Sequence, residues 1–183
     1  MKLAPTPIAG IYETTTTLIG DDRGRFARLF CGDELSQAHQ NRPIVQINQS
    51  VTRRVGAIRG LHYQRTPHAE GKWVRCLRGR VFDVALDLRR GSPTFLRWHA
   101  VTLSAEAMNA VFIPEGCGHG FQVLEPDSEL LYLHTASYAP GYEGGVRHDD
   151  PRVLISWPLP VSDLSERDRL HPLLGSNFEG IDP

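Results

Sequence analysis

The stretch WVRCLRGRVFDVALDL, from Trp73 to Leu88, decides the fold of this chain. Apolar residues recur with period two on both sides of Arg78-Gly79, a dipeptide typical of a tight turn. The second half predicts a strand with one wholly apolar face, formed by Phe82, Val84, Leu86 and Leu88. Its other face mixes acidic and apolar residues, namely Val81, Asp83, Ala85 and Asp87. Two such strands joined by a short turn indicate an antiparallel β-structure.

The same pattern extends over most of the chain. Further strands are predicted over 44–51, 95–103, 110–113, 120–124, 129–135 and 153–157. Gly- and Pro-containing turns separate them, which favours an all-β sandwich or barrel over alternating β–α units. Two short helices are predicted, Cys31–Gln40 and Ser162–Leu170. In the second, Ser162 or Asp163 is the expected N-cap and Glu166 a first-turn acid.

Composition indicates one domain with a variable tail from about Gly175. The chain has 183 residues, of which 40% are hydrophobic and 22% charged, with a formal net charge of -1. This balance gives no reason to expect a nucleic acid or a membrane as partner, and no 18-residue apolar run is present. Three cysteines without paired spacing predict reduced thiols and a cytoplasmic location.

Four segments carry the candidate chemistry: Arg59–Gln64, Gly71-Lys72, Gly118–Phe121 and Tyr132. Together they offer two imidazoles, an ammonium and a phenol on consecutive short strands. Such a set can remove a proton from carbon, stabilise the resulting oxyanion and return a proton from another side. The residues therefore predict an acid–base enzyme that acts beside a carbonyl group.

Each of these residues also has a purely structural interpretation. His62 could be a hydrogen-bonded strand histidine, Lys72 a solvated strand end, His119 a turn residue and Tyr132 part of the core. The density of polar groups around His62 argues against the purely structural interpretation, because Arg59, Gln64 and Lys72 would be costly to bury together without a polar ligand. Leu61 and Tyr63 are expected to point away from the side that His62 faces.

A metal centre is the next alternative, because the chain has eight histidines. Metal-binding small barrels usually place two histidines at i and i+2 on one strand face. Here the residue paired with His62 is Gln64, and we interpret the others, His68, His134, His148 and His171, as lying in unrelated contexts. This pattern favours a site without metal.

Two polar motifs suggest the kind of ligand. Arg23-Gly24-x-Phe26 and Gln46-x-Asn48 add guanidinium and amide groups to Arg59. These groups suit an anionic ligand rich in hydrogen-bonding groups, such as a nucleotide diphosphate sugar.

With these motifs in place, the chain resembles the dTDP-4-dehydrorhamnose 3,5-epimerase family in order and spacing from about residue 8 to residue 174. The matching segments are 22–26, 46–48, 59–64, 71–72, 82–87, 91–95, 113–116, 119–121, 157–158 and 164–165. The resemblance implies a cupin-type jelly-roll barrel with short peripheral helices. It also implies a homodimer with crossing N-terminal strands, and neither metal nor organic cofactor.

The resemblance assigns roles by position. It implies that His62 is the base, Asp168 the acid that orients it, Lys72 the residue that stabilises the enolate, and Tyr132 the acid on the opposite face. The substrate-binding positions it implies are Arg23, Phe26, Arg28, Gln46, Asn48, Arg59, His119, Tyr138, Glu143 and Arg167, with Tyr138 stacking on the nucleobase.

The expected reaction is inversion of C3 and C5 of a dTDP-4-keto-6-deoxyhexose. Two positions depart from the family pattern: Arg28 replaces a glutamate, and His148 replaces the tryptophan of a Trp-Asn-Asp motif. They leave the nucleobase and the exact sugar open. The alternatives are a single-centre epimerase, a non-catalytic nucleotide-sugar-binding module on the same barrel, and a metal-dependent cupin oxygenase or isomerase.

Overall fold

The computed structural model describes residues 1–182 and is built mainly from strands. Its two helices are α1 (Gly32–His39) and α2 (Glu166–Leu170). Its strands are β1 (Lys2–Pro5), β2 (Tyr12–Thr15), β3 (Leu18–Asp21), β4 (Gly24–Ala27), β5 (Gln46–Thr52), β6 (Ala57–Gln64), β7 (Lys72–Arg78), β8 (Arg80–Asp87), β9 (Trp98–Ser104), β10 (Ala110–Ile113), β11 (Cys117–Val123), β12 (Ser128–His134), β13 (Glu143–Gly145) and β14 (Asp163–Leu164).

The strands form two six-stranded sheets and one separate hairpin. The first sheet has the order β1-β2-β10-β7-β12-β5. The second has the order β13-β6-β11-β8-β9, and β14 adds to β6 in parallel. The other strand pairs are antiparallel, and β3 with β4 forms the hairpin. The expected cupin-type jelly roll with short peripheral helices is confirmed.

The core lies between the two sheets. Its buried members come from both sheets, for example Val74 and Leu130 from the first and Val81 and Phe121 from the second. A second apolar cluster, which includes Trp73, packs α1 on the outer face of the first sheet. A third covers the outer face of the second sheet. It contains three of the apolar-face residues of β8 together with the chain segments near Val153 and Ile181.

The two-faced strand predicted from Val81 to Leu88 is confirmed as β8. Val81 and Ala85 lie in the core between the sheets, whereas Val84 and Leu86 lie in the outer cluster. The strand predicted over 110–113 is observed with the same bounds. Within residues 1–182, no helix is long and apolar enough to span a membrane.

The strand predicted over 153–157 is wrong. Val153 donates its amide to Asp150, Leu154 has a positive φ of 54°, and the Trp157 indole donates to the His148 carbonyl. Turns therefore hold this segment across the outer cluster, where its apolar side chains still find contacts. Apolar side chains alternate in this segment because it lies across the outer face of the second sheet, and it is not a strand of that sheet.

The predicted start of the last helix is also wrong. Asp163 and Leu164 pair with β6, so the helix begins only at Glu166, with Ser165 as its N-cap. The Ser165 hydroxyl accepts a hydrogen bond from the Asp168 amide at 3.1 Å. Glu166 lies in the first turn as expected. The sequence pattern predicted no strand before residue 28, where the structure has four short ones. Only the family resemblance implied N-terminal strands, and Arg23 lies in the turn between β3 and β4.

A glycine contact sets the geometry of the strands that carry the site. Gly60 on β6 has φ of 118°, and a Cβ atom there would lie 2.5 Å from the Gly120 Cα of β11. The β6–β11 register shifts at this point. As a result, Arg59 and His62 both face the inside of the barrel, although strict alternation would place them on opposite faces.

Candidate active site

One cavity of about 580 Å³ opens between the two sheets beyond the apolar core. Its lining includes Ala57 and Phe121, which belong to that core, so the core forms one wall of the cavity. The remaining lining residues are mostly polar: Asn48, Gln49, Ser50, Thr52, Arg59, His62, Glu70, Lys72, His119, Tyr132, His134, Asp163, Ser165, Arg167 and Asp168. The structure thus brings together the four predicted catalytic residues.

His62 forms a short hydrogen bond with the carboxylate of α2. Its Nε2 lies 2.6 Å from the Asp168 Oδ1 atom, and the Gly60 amide donates to the Asp168 Oδ2 atom at 3.1 Å. Asp168 is almost completely buried. Burial alone would raise its pKa, but the hydrogen bond and charge of His62 and the backbone donor outweigh it and lower the pKa. Asp168 therefore stays ionised and holds the imidazole in place.

The contact between His62 and Asp168 depends on the chain returning to the barrel. Pairing of β14 with Ala57 and Ile58 brings the following helix to the edge of β6. The segment that carries Asp168 therefore folds back onto β6.

Lys72 lies on the opposite sheet and is buried in an ion pair. Its Nζ atom is 2.6 Å from Glu70 Oε1, while Glu70 Oε2 is 2.7 Å from His134 Nδ1. Burial raises the pKa of Glu70, but the charges and hydrogen bonds of Lys72 and His134 lower it overall to about 2. Glu70 is thus ionised at neutral pH and fixes Lys72 and His134 at the cavity wall.

Tyr132 lies on β12 beside this group. Its hydroxyl is 3.2 Å from the Ser50 Oγ atom, and its ring is stacked on His134 and edge-on to His119, each at a centroid distance of 6.0 Å. Burial raises the pKa of the phenol. Tyr132 is therefore protonated at neutral pH and can act as a hydrogen-bond or proton donor.

His119 pairs in register with His62 on the neighbouring strand, and its Nε2 lies 2.9 Å from Asp83 Oδ2. The acidic residue at Asp83 therefore serves a second imidazole in the same cavity. This explains why β8 carries an acid on its inner face, where apolar residues otherwise pack.

Several predicted substrate-binding residues form a connected group near the cavity. Arg167 donates to Glu143 at 2.6 Å, and the Tyr138 hydroxyl donates to the same carboxylate at 3.0 Å. The Gln46 side chain accepts from the Tyr138 amide at 2.9 Å. Of these four, Arg167 lines the cavity, together with Asn48, Arg59 and His119 of the predicted set.

Three predicted substrate-binding residues lie elsewhere in the chain. Arg23 and Phe26 are on the β3–β4 hairpin, and Arg28, just beyond it, forms an ion pair with Glu34. They do not line the cavity of the same chain.

The interpretation of His134 and His171 as lying in unrelated contexts is wrong. His134 lines the cavity, and His171 Nε2 is 3.9 Å from Asp168 Oδ1. The sequence held signals for some missed residues. His134 follows Tyr132 by two positions on one strand face, and Glu70 precedes Lys72 by two. The pattern Ser165-x-x-Asp168 is that of a capped first turn.

Comparison with known proteins agrees with this geometry. A family model described as dTDP-4-dehydrorhamnose 3,5-epimerase matches residues 5–176. The chain belongs to this family. Its members are isomerases.

Relatives within the family differ in the number of centres that their names specify. The dTDP-4-dehydrorhamnose 3,5-epimerase of Shigella flexneri is 40% identical, covering 92% of this chain and 93% of its own. The dTDP-4-dehydrorhamnose 3-epimerase of Streptomyces niveus is also 40% identical, covering 92% of this chain and 82% of its own.

A solved structure extends the comparison to the fold. The epimerase of Legionella pneumophila, in complex with dTDP-4-keto-L-rhamnose, superposes with a TM-score of 0.89 at 36% identity. The match covers 94% of this chain and 92% of that one.

The Glu70 ion pairs predict a specific pH dependence of stability. Because the folded-state pKa of Glu70 is about 2 against an ordinary 4.5, its contribution is complete above pH 4.5 and is lost as the pH falls toward 2. Between pH 5 and pH 2, the wild type should lose about 3 kcal/mol more of its free energy of unfolding than Glu70→Gln. Urea unfolding at several pH values measures this difference.

The control for this experiment is Glu125→Gln. Glu125 pairs with Arg80 at the surface, where both side chains are about half exposed, so its pH dependence should follow the wild type. Parallel curves for the wild type and Glu70→Gln would contradict the proposed state of Glu70.

Proposed function

We propose that this chain inverts C3 and C5 of a dTDP-linked 4-keto-6-deoxyhexose, converting dTDP-4-dehydro-6-deoxyglucose to dTDP-4-dehydrorhamnose. One observation carries the proposal. The candidate base, His62, projects from one sheet, while the candidate acid, Tyr132, projects from the facing sheet into the same cavity. A sugar bound between them has a base on one face and a proton donor on the other.

The first step is removal of the proton beside the C4 ketone. His62 Nε2 is engaged by Asp168, which leaves Nδ1 as the nitrogen that can take a proton from carbon. Ionised Asp168 stabilises the imidazolium that forms, as expected for a histidine–carboxylate pair.

Lys72 stabilises the enolate that this step creates. An ammonium group has three N–H donors, and the ion pair with Glu70 uses one of them. The others are available to the C4 oxygen. A charge-assisted hydrogen bond at a buried position favours the negative oxygen of the enolate over the neutral ketone.

Tyr132 then protonates the carbon from the opposite face and so inverts it. C3 and C5 both adjoin the C4 ketone, so the same base, oxyanion donor and acid can serve each carbon in turn. The nucleotide diphosphate would be bound by cations at the cavity, where Arg59 and Arg167 both contribute to the lining.

The number of inverted centres is the finer part of the proposal. The 3-epimerase of Streptomyces niveus is as similar to this chain as the 3,5-epimerase of Shigella flexneri. This favours inversion at C3 alone as the second candidate function. The same catalytic residues would serve it.

We also propose a homodimer in which the hairpin of each chain completes the cavity of the other. The hairpin carries Arg23 and the largely exposed Phe26 and Ile19, and the edge strand β5 exposes Ile47. Apolar side chains on a projecting hairpin and on a sheet edge are typical of surfaces covered in an oligomer. Three free cysteines among the described residues support a cytoplasmic location.

Replacement of the base gives the first test of function. His62→Ala should lower turnover by ~10²–10⁴-fold, the range typical of general-base loss, because no other nitrogen would hold the proton at this face. Binding of dTDP, measured by calorimetry, should change little. Incorporation of solvent deuterium at the wild-type rate in this variant would contradict the assignment.

Replacement of the acid separates exchange from inversion. Tyr132→Phe keeps His62, so proton exchange with solvent at the first carbon should remain substantial while most epimerised product is lost. Proton NMR of the reaction in deuterated water reports both quantities. If the variant still forms product inverted at both centres at the normal rate, Tyr132 is not the donor.

Mixing two inactive variants tests the proposed dimer. In a dimer with exchanged hairpins, the cavity of an Arg23→Ala chain receives an intact Arg23 from a His62→Ala partner. Mixed and reassociated Arg23→Ala and His62→Ala proteins should therefore recover activity above the sum of the two separate samples. No recovery, with mixed dimers demonstrated by mass spectrometry, would show that Arg23 does not act across the interface.

A further inference from the structure

A cluster of three potential metal ligands surrounds the carboxylate of Asp168. His62 Nε2, Asp168 Oδ1 and His171 Nε2 all lie within 4.8 Å of one another. Asp168 and His171 are three positions apart at the end of α2, a spacing that places two side chains on one helix face. The reaction described above gives His171 no task.

The nitrogen of His171 is unusually placed. Its Nε2 atom is buried and has no hydrogen-bond partner in the part of the chain that the structure describes. The ring fits only because residue 145 is a glycine, since a Cβ atom there would lie 2.1 Å from this nitrogen. A buried imidazole nitrogen without a hydrogen-bond partner suits a metal ion.

We propose that His62, Asp168 and His171 form an inhibitory binding site for Zn²⁺. A tetrahedral zinc site with bonds of about 2.0–2.1 Å separates its donors by roughly 3.4 Å. The observed separations from Asp168 Oδ1, 2.6 Å to His62 and 3.9 Å to His171, lie on either side of this value. Small side-chain rotations would therefore complete three protein ligands, and the open cavity leaves a fourth position for water.

The surroundings support such a site. The second oxygen of Asp168 accepts the Gly60 amide, which fixes the carboxylate as outer hydrogen bonds do in metal centres. The nearby guanidinium of Arg167 is paired with Glu143, which offsets its repulsion of a cation.

Zinc at this position would stop the reaction through His62. The metal would take the Nε2 lone pair and displace the proton that His62 shares with Asp168. A neutral imidazole has a single ring proton, so the proton displaced from Nε2 moves to Nδ1, the nitrogen that would otherwise act as the base. Binding and catalysis therefore exclude each other.

Zinc titration of the chelator-treated protein tests the proposal. Calorimetry and native mass spectrometry with ZnCl₂ should show one ion per chain, and Co²⁺ in its place should give the intense visible absorption of a four-coordinate site. Turnover should fall at least ~10-fold at saturation and return on addition of EDTA. His171→Gln should retain wild-type turnover without zinc while binding zinc at least ~10-fold more weakly, since even outer-shell changes cost this much.

The matched control is His99→Gln, which removes a histidine–carboxylate pair with Glu13 away from the cavity. It should bind zinc and lose activity like the wild type, which also corrects for zinc bound by the substrate diphosphate. A second variant, His171→Phe, checks the loss of zinc affinity with a ring that has no atom able to bind the metal. Unchanged zinc affinity in both His171 variants, or one bound ion per chain without inhibition, would overturn the proposal.

Discussion

The site depends on two sheets that face each other, with apolar side chains between them at one end and polar side chains at the other. At one end the inner faces meet through apolar side chains and form the core. At the other end the same alternation of β7 and β12 presents Lys72, Tyr132 and His134 instead. Because side chains on a strand alternate with period two, the strands that build the core also aim the polar groups inward. Base and acid come from different sheets, so their opposition across the substrate is a property of the fold.

Placing so many polar groups in a barrel is costly unless each has a partner. Carboxylates meet this requirement for the cavity histidines: Asp168 binds His62, Asp83 binds His119, and Glu70 binds both His134 and Lys72. The paired carboxylates also have different roles. Asp168 supports a base, whereas Glu70 holds the ammonium group of Lys72. Tyr132 has no carboxylate partner, and its hydroxyl lies beside the Ser50 hydroxyl. Burial raises the pKa of the phenol, which keeps it protonated at neutral pH.

Much of this arrangement could be predicted from the sequence, because period two is a local property. The two faces of β8 and the direction of His62 follow from it. The register shift between β6 and β11 at Gly60 does not follow from it, since this shift depends on the close approach of Gly120 from another strand. Val153–Trp157 imitated a strand because covering a sheet also requires alternating apolar side chains. His171 could not be placed beside Asp168 before the helix start was known. The resemblance to the family supplied the role of Asp168, which no local pattern near His62 indicates.

Different groups remove and return the proton at an inverted carbon. This is tested most directly with a substrate deuterated at C3 and C5, converted in a single turnover in ordinary water and analysed by mass spectrometry and NMR. Product inverted at a carbon should have lost all deuterium from that carbon, because His62 removes the label and Tyr132 supplies a solvent-derived proton. Deuterium retained at an inverted carbon would show instead that one group performs both transfers.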